Sequence, residues 1–273
     1  MMKNIYSNGV KQNIQYESSL LAYALLIDTV RSLHFGMPAT IASSLADVPF
    51  PSQQSSFSQL LSATIFGFPK ALWLPYSEEN ALLLLLLIFS EEQIWKTKMI
   101  HGTIPAGFPG DDARSNSLAY MKSIQRALNR WKVEYFDRTT SEIKALYQFC
   151  EIYLLLQNLE NLPDMVKYRE QHNGVPGLSQ VHTMSNEEEQ NRAKASHHAW
   201  LLLEHVSACS KSNAVWLPII LYLSGLVVWY DINSRQGSRS HGSMMVLNLF
   251  VKELRGMQWP CCIDMATNLE KLQ

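Results

Sequence analysis

SEENALLLLLLIFSEEQIWKTK, residues 77–98, is the stretch that decides the fold class. Ser77 stands where a helix needs a side-chain oxygen to cap its first N–H groups. Glu78 and Glu79 follow in the first turn, where negative charge suits the helix dipole, and Lys96 and Lys98 close the stretch at the end that favours positive charge. The leucine run between them, Ala81–Phe89, is about half the length that a bilayer crossing needs. It reads as the buried middle of a globular helix.

Working outward, the same helical period recurs along the chain. Leu20–Leu33 is a compact apolar helix with its charges, Asp28 and Arg31, three apart on one side. Leu118–Phe136 places Ala, Met, Ile, Leu and Trp at helical spacing. Thr139-x-x-Glu142 is a capping-box pattern that launches a helix to about Gln157, and Asn186-x-x-Glu189 opens one that reaches about Ser207. Pro218 suits the first turn of a helix, since the N–H it lacks has no partner there. Ser243–Arg255 forms a further helix, and a short one follows Pro260. The connectors Gly36–Phe57, His101–Asp112, His172–Ser185 and Asn233–Gly242 are polar or rich in Gly and Pro. Gly36–Phe57 is long for a structureless loop and is expected to lie across the helices, pinned by Pro38, Pro49 and Pro51. No stretch alternates at period two for long enough to form a strand, and no fixed repeat appears. The expectation is an all-α, irregular multi-helix bundle with long loops, one domain over 20–273 after a polar segment 1–19.

Composition narrows the function classes. Of 273 residues, 47% are hydrophobic and only 17% charged, with a net charge of −1, so no global field favours nucleic acid or an anionic membrane. Cys150, Cys209, Cys261 and Cys262 are too few and scattered for a disulfide scaffold. The adjacent pair lacks zinc-ligand spacing, so reduced, buried or half-buried thiols are expected. Met1–Tyr16 is polar and has no signal-peptide core, which points inside the cell. Ser212–Tyr230 carries no charge and approaches the minimum for a spanning helix. Its Ser212, Asn213, Pro218, Ser224 and Gly225 shorten the strongly apolar part, so a buried core helix is the expected role and a single-pass anchor the alternative.

Each chemical candidate meets a plainer explanation. The loop His101–Gly110 is glycine-rich, but Pro105 and Pro109 remove N–H groups that a phosphate cradle requires. Asp111-Asp112 has the look of the magnesium-holding pair of all-α terpenoid cyclases, yet Ala113, Arg114 and Ser115 follow instead of more carboxylates. An enzyme of that type is kept as an alternative function. His197, His198 and His205 lack the i, i+4 spacing of a helical zinc pair, since 201 and 202 are leucine. They are expected to face solvent or cap. Arg235, Arg239 and His241, like Arg126, Arg130 and Lys132, are too few for a phosphate-binding stripe. Trp131, Trp200, Trp216, Trp229 and Trp259 are expected as core anchors.

Leu25-Leu-Ile-Asp-Thr-Val-Arg-Ser-Leu-His-Phe-Gly-Met-Pro-Ala-Thr-Ile41, followed by Asp47-Val-Pro-Phe-Pro51, resembles the regulatory (middle homology) domain of fungal-specific transcription factors. There a helix ends in an aspartate-containing stretch, then a small-Pro-x-x-Ile turn and an extended run ending in prolines. Ala81–Trp95, Ala127–Trp131, His197–Trp200, Trp216–Ile219 with Val227–Trp229, and Glu253–Cys262 are similar to helices of its later half. The resemblance implies an irregular all-α domain of a nuclear regulator of RNA polymerase II transcription. DNA is read in that family by a separate zinc module, a binuclear Cys-rich cluster or Cys/His fingers, which these residues lack. The chain is accordingly expected to start partway into the regulatory domain, without its first helices, leaving apolar faces uncovered. No catalytic, cofactor-binding or metal residues carry over, and zinc belongs only to the separate module. The implied partners are transcriptional co-regulators or a second copy, with DNA reached only through the zinc module and no membrane.

Overall fold

A computed structural model describes residues 20, 23–33, 40, 62–63, 65, 76–100, 110–156, 159, 162–164, 186–209, 212–234 and 242–272. Among them the structure is helical with no strand, an all-α multi-helix fold as the sequence leads one to expect. The chain divides into two compact units, one up to Thr139 and one from Thr140 onward.

In the N-terminal unit, α1 covers 23–33, α2 Glu78–Ile100 and α3 Gly110–Tyr135, the last ending in a 3-10 turn at Phe136–Arg138. Ser77 caps α2 as its position predicts: its Oγ accepts the Asn80 N–H at 3.1 Å. Leu83 to Phe89 are all buried to 1% exposure or less. A helix apolar around its whole circumference is stable only when neighbours cover every side. One of these is α3, which runs antiparallel to it. Trp131 of α3 donates its indole N–H to the Ala81 carbonyl at 2.8 Å near the start of α2. Trp95, fourteen residues on, stacks on Tyr120 with ring centroids 4.6 Å apart. The indole of Trp131 thus buries its large surface while its one polar atom is satisfied. Below the pair, the Tyr76 hydroxyl donates to the Arg138 carbonyl and the Arg138 guanidinium lies over the Tyr76 ring, fastening the 3-10 turn.

Helix α1 turns Leu25, Leu26, Asp28, Thr29 and Ser32 inward. Its inner face is half polar, and α2 answers it: Gln93 donates to the Ser32 hydroxyl at 3.0 Å. Close by on α2, the buried Glu92 and Lys96 pair at 3.8 Å. The outer face of α1 carries Tyr23 and Ile27 at 65% and 61% exposure, and Leu20 ahead of it is also exposed.

The C-terminal unit contains α4 (Ser141–Leu155), α5 (Asn186–Ser207), α6 (Leu217–Ser234), α7 (Gly242–Gly256) and α8 (Cys261–Glu270). Helix α6 is its axis and packs against the other four. Every residue from Leu217 to Trp229 is buried. By length and composition α6 could cross a membrane, but 72% of it is buried within the fold, so its apolar surface is already spent on its neighbours. Pro218 stands in its first turn, as expected, and Gly225 admits α8: a Cβ there would lie 2.9 Å from Leu269 Cδ1. Beyond them, Arg255 of α7 donates to Glu270 of α8 at 2.8 Å.

Two local expectations change. Helix α3 begins at Gly110, eight residues before Leu118, so that Asp111 and Asp112 fall in its first turn, where the dipole favours acids. The capping box at Thr139 does not form. Thr140 is the N-cap residue of α4 and makes no side-chain cap bond, while the Thr139 hydroxyl donates backward to the Phe136 carbonyl at 3.0 Å. The preceding 3-10 turn takes the hydroxyl as a donor, whereas a cap would have it accept an N–H of the new helix. Trp131 and Trp229 are core anchors, whereas Trp200, Trp216 and Trp259 are half-buried.

One ion pair in the C-terminal unit lies in the core. Arg192 of α5 donates to Asp231 of α6 at 3.2 Å, both side chains being less than a tenth exposed, and the guanidinium also approaches the Tyr230 ring. Asp231→Ala removes this carboxylate from the buried guanidinium and should cost about 3–5 kcal/mol in urea denaturation. The apolar pair Arg192→Met with Asp231→Leu should recover most of that loss. A single variant as stable as the parent would show that the pair contributes nothing.

Candidate functional site

Three residues of the segment that carries the family resemblance, Asp28, Arg31 and Thr40, meet at one place. Asp28 lies on the inner face of α1 and is 3% exposed. A carboxylate so deeply buried must be paired and hydrogen-bonded to remain charged at acceptable cost. Its Oδ2 accepts the backbone N–H of Thr40 at 2.7 Å, and its Oδ1 accepts the Thr40 hydroxyl at 3.3 Å. Arg31, one turn along α1, places its Nη2 3.5 Å from Oδ1 and donates from the same nitrogen to Thr40 Oγ1. Twelve residues after the aspartate, the chain is therefore pinned back onto the helix it has left. The sequence places Asp28 and Arg31 on one side of the helix. It does not show that the aspartate faces inward, nor that Thr40 is what it holds. Pro38, Ile41 and the 47–51 run lie outside the described residues, as does the connector path expected for Gly36–Phe57 apart from Thr40.

With both oxygens engaged by donors, Asp28 acts as a clamp on the backbone at Thr40. The neighbouring Thr29 hydroxyl is buried and has no hydrogen-bond partner among the described residues. That cost is tolerated because the helix face around it is otherwise closed by Leu25, Leu26 and the Ser32–Gln93 bond.

The other sequence candidates lie apart from this cluster. Asp111 and Asp112 belong to the first turn of α3, and their side chains are outside the described residues. Of the histidines on α5, His197 is exposed as expected. His198 departs from expectation: it turns toward α4, where its Nδ1 donates to the buried Gln148 Oε1 at 2.7 Å. A buried glutamine on the facing helix needs a partner, and nothing local in either helix's sequence reveals the match. His205 is half-buried; desolvation, reinforced by the nearby Lys144, lowers its pKa, with Glu204 opposing. Among the described residues, no group of three or more His, Cys, Asp or Glu is placed to share an ion.

None of the four cysteines forms a disulfide; Cys150 and Cys262 are buried, Cys209 and Cys261 half-buried. Burial, with Glu142 nearby, pushes the Cys209 thiol up to about 12, and burial pushes Cys262 up to about 11. Few thiolates form there at neutral pH, so neither is poised as a nucleophile. Among the basic residues, Arg126 and Lys132 are exposed, while Arg130 is half-buried and reaches toward the Ile65 carbonyl. Arg235, Arg239 and His241 lie outside the described residues. A shallow groove of about 370 Å³ runs between α5 and α7, walled by Trp200, Leu201 and Leu203 on one side and Leu249 on the other.

No known protein-family model, curated protein or solved structure matches this chain.

Asp28→Ala frees the Thr40 N–H from its buried acceptor and should lower the unfolding free energy by about 1–3 kcal/mol in chemical denaturation. Asp28→Asn, which keeps an acceptor for that N–H, should lose less. Equal losses for both would mean that the charge, not the N–H clamp, is what matters. His205 supplies a pH test. Its folded-state pKa is depressed, so below about pH 6.5 the unfolded chain takes up a proton that the folded chain resists. Stability contributed above that pH is lost as pH falls toward the lowered folded value. His205→Gln should flatten the fall in thermal midpoint between pH 7 and pH 5, and an unchanged slope would remove His205 as its source.

Proposed function

We propose that this chain is the regulatory domain of a fungal transcription factor, acting in the nucleus on transcription by RNA polymerase II through protein partners. One observation carries the reading most directly. Asp28 of the aspartate-containing helix accepts the N–H and hydroxyl of Thr40, a residue of the segment that resembles the family's turn, so these two residues of the resemblance are tied together. The all-α fold and the near-neutral charge suit a scaffold that binds proteins. DNA binding in this reading belongs to a separate zinc module, and zinc enters only there.

Tethering tests the proposal. Fused to a heterologous DNA-binding module, the chain should shift expression of a nuclear reporter, and Asp28→Ala should diminish that shift in proportion to its loss of folded protein. The chain alone should show no salt-dependent binding to duplex DNA at physiological ionic strength. A reporter that does not respond to well-expressed fusion protein refutes the regulatory role. Tight, salt-sensitive DNA binding by the chain itself refutes the assignment of DNA reading to another module.

A further inference from the structure

Helices α5 and α7 both pack on α6 but only lightly on each other, and the groove between them follows from that geometry. Its floor and walls are apolar: Trp200, whose ring meets Phe250 at 5.7 Å, Leu201, Leu203, and Leu249, which is 49% exposed. Its exposed rim charges are of opposite sign on the two sides, and the α7 side also carries the half-buried Glu253. Glu204 stands exposed on the α5 side and Lys252 exposed on the α7 side. At one point the walls are tied, where the Ser207 hydroxyl donates to Glu253 at 3.0 Å.

A cleft between two helices with this arrangement has the form of the site for a third. A helix laid in such a cleft buries one apolar stripe, and the residues flanking that stripe face the two rims. We propose that the α5–α7 groove docks an amphipathic helix of a partner protein, whose apolar stripe is flanked by Lys or Arg toward Glu204 and by Asp or Glu toward Lys252. The exposed charges favour one orientation of the partner, since reversing the helix sets like charges against Glu204 and Lys252. The volume, about 370 Å³, accepts a few aliphatic side chains, not a whole domain. An affinity on the order of 10–100 µM for an isolated helix follows from so small a patch after the cost of association. The inference gives a partner chemistry to the regulatory reading above and rests on that reading only for the partner's role.

The test uses the whole chain and a fluorescein-labelled synthetic helix of about 15 residues. The peptide carries leucines at i, i+3, i+4 and i+7, lysines along one flank and glutamates along the other. Fluorescence anisotropy should show saturable binding, and a scrambled peptide of the same composition should not bind. Leu249→Asp, a change at an exposed position that should leave the circular dichroism and thermal midpoint intact, should weaken binding about tenfold or more. Glu204→Lys should weaken it about threefold, and a peptide whose lysine flank is replaced by glutamate should restore it. Binding indifferent to Leu249→Asp, or absent at about 1 mM peptide, a hundredfold above the tight end of the expected range, overturns the proposal. So does a dimer in sedimentation velocity that Leu249→Asp dissociates, because the groove then belongs to a second copy. The tethered reporter and the titration fail separately: a silent reporter leaves the anisotropy result standing, and a flat titration leaves the reporter result standing.

Discussion

A helix without a polar face has to be surrounded. That constraint shapes both units of this protein. In the N-terminal unit it falls on α2, whose leucine run is buried on every side, and in the C-terminal unit on α6, buried from Leu217 through Trp229. Neither helix gains stability on a surface, so the helices around them are placed by the need to cover them. The same requirement explains why polar atoms near these axes are paired inward: the Trp131 indole on the Ala81 carbonyl, Arg192 on Asp231, Ser224 on the Ile220 carbonyl. Each would be left dry and unsatisfied if its neighbour moved away.

Helix positions were legible in the sequence because caps, dipole charges and apolar period are local signals. Ser77, the acids after Asn186 and Pro218 each mark a helix start that the structure contains. The failure at Thr139 is also local: two threonines in a row offer two registers, and the 3-10 turn took the first hydroxyl. Long-range polar matches were not legible. Asp28 with Thr40, Gln148 with His198 and Arg192 with Asp231 are twelve, fifty and thirty-nine residues apart, and a single sequence holds no sign that joins them. The one available hint was compositional, a lone acid or base within an otherwise apolar stripe. The groove between α5 and α7 was equally hidden, since it depends on how two helices share a third.

The functional reading and the fold stand on different footing. The fold follows from burial and hydrogen bonding. The regulatory role is a proposal that joins a sequence resemblance to the clamp between two of its residues, Asp28 and Thr40. What the two share is a preference for holding over reacting. The buried carboxylate grips a backbone N–H, the histidine on α5 secures a glutamine, and the half-buried Cys209 thiol is held well above its usual range. Groups arranged in this way give a surface its shape.

Trp131 and Trp229 sit in different units, and both are almost wholly sealed from water. A dry indole emits at shorter wavelength than a wet one, and each of these is the deepest tryptophan described in its own half of the chain. The protein thus carries an internal lamp in each unit. The chain has seven tryptophans, so the emission lost when either is replaced by phenylalanine isolates that indole's own signal. The melting of the leucine-walled half and that of the α6-centred half then become separately visible in one cuvette, without any label.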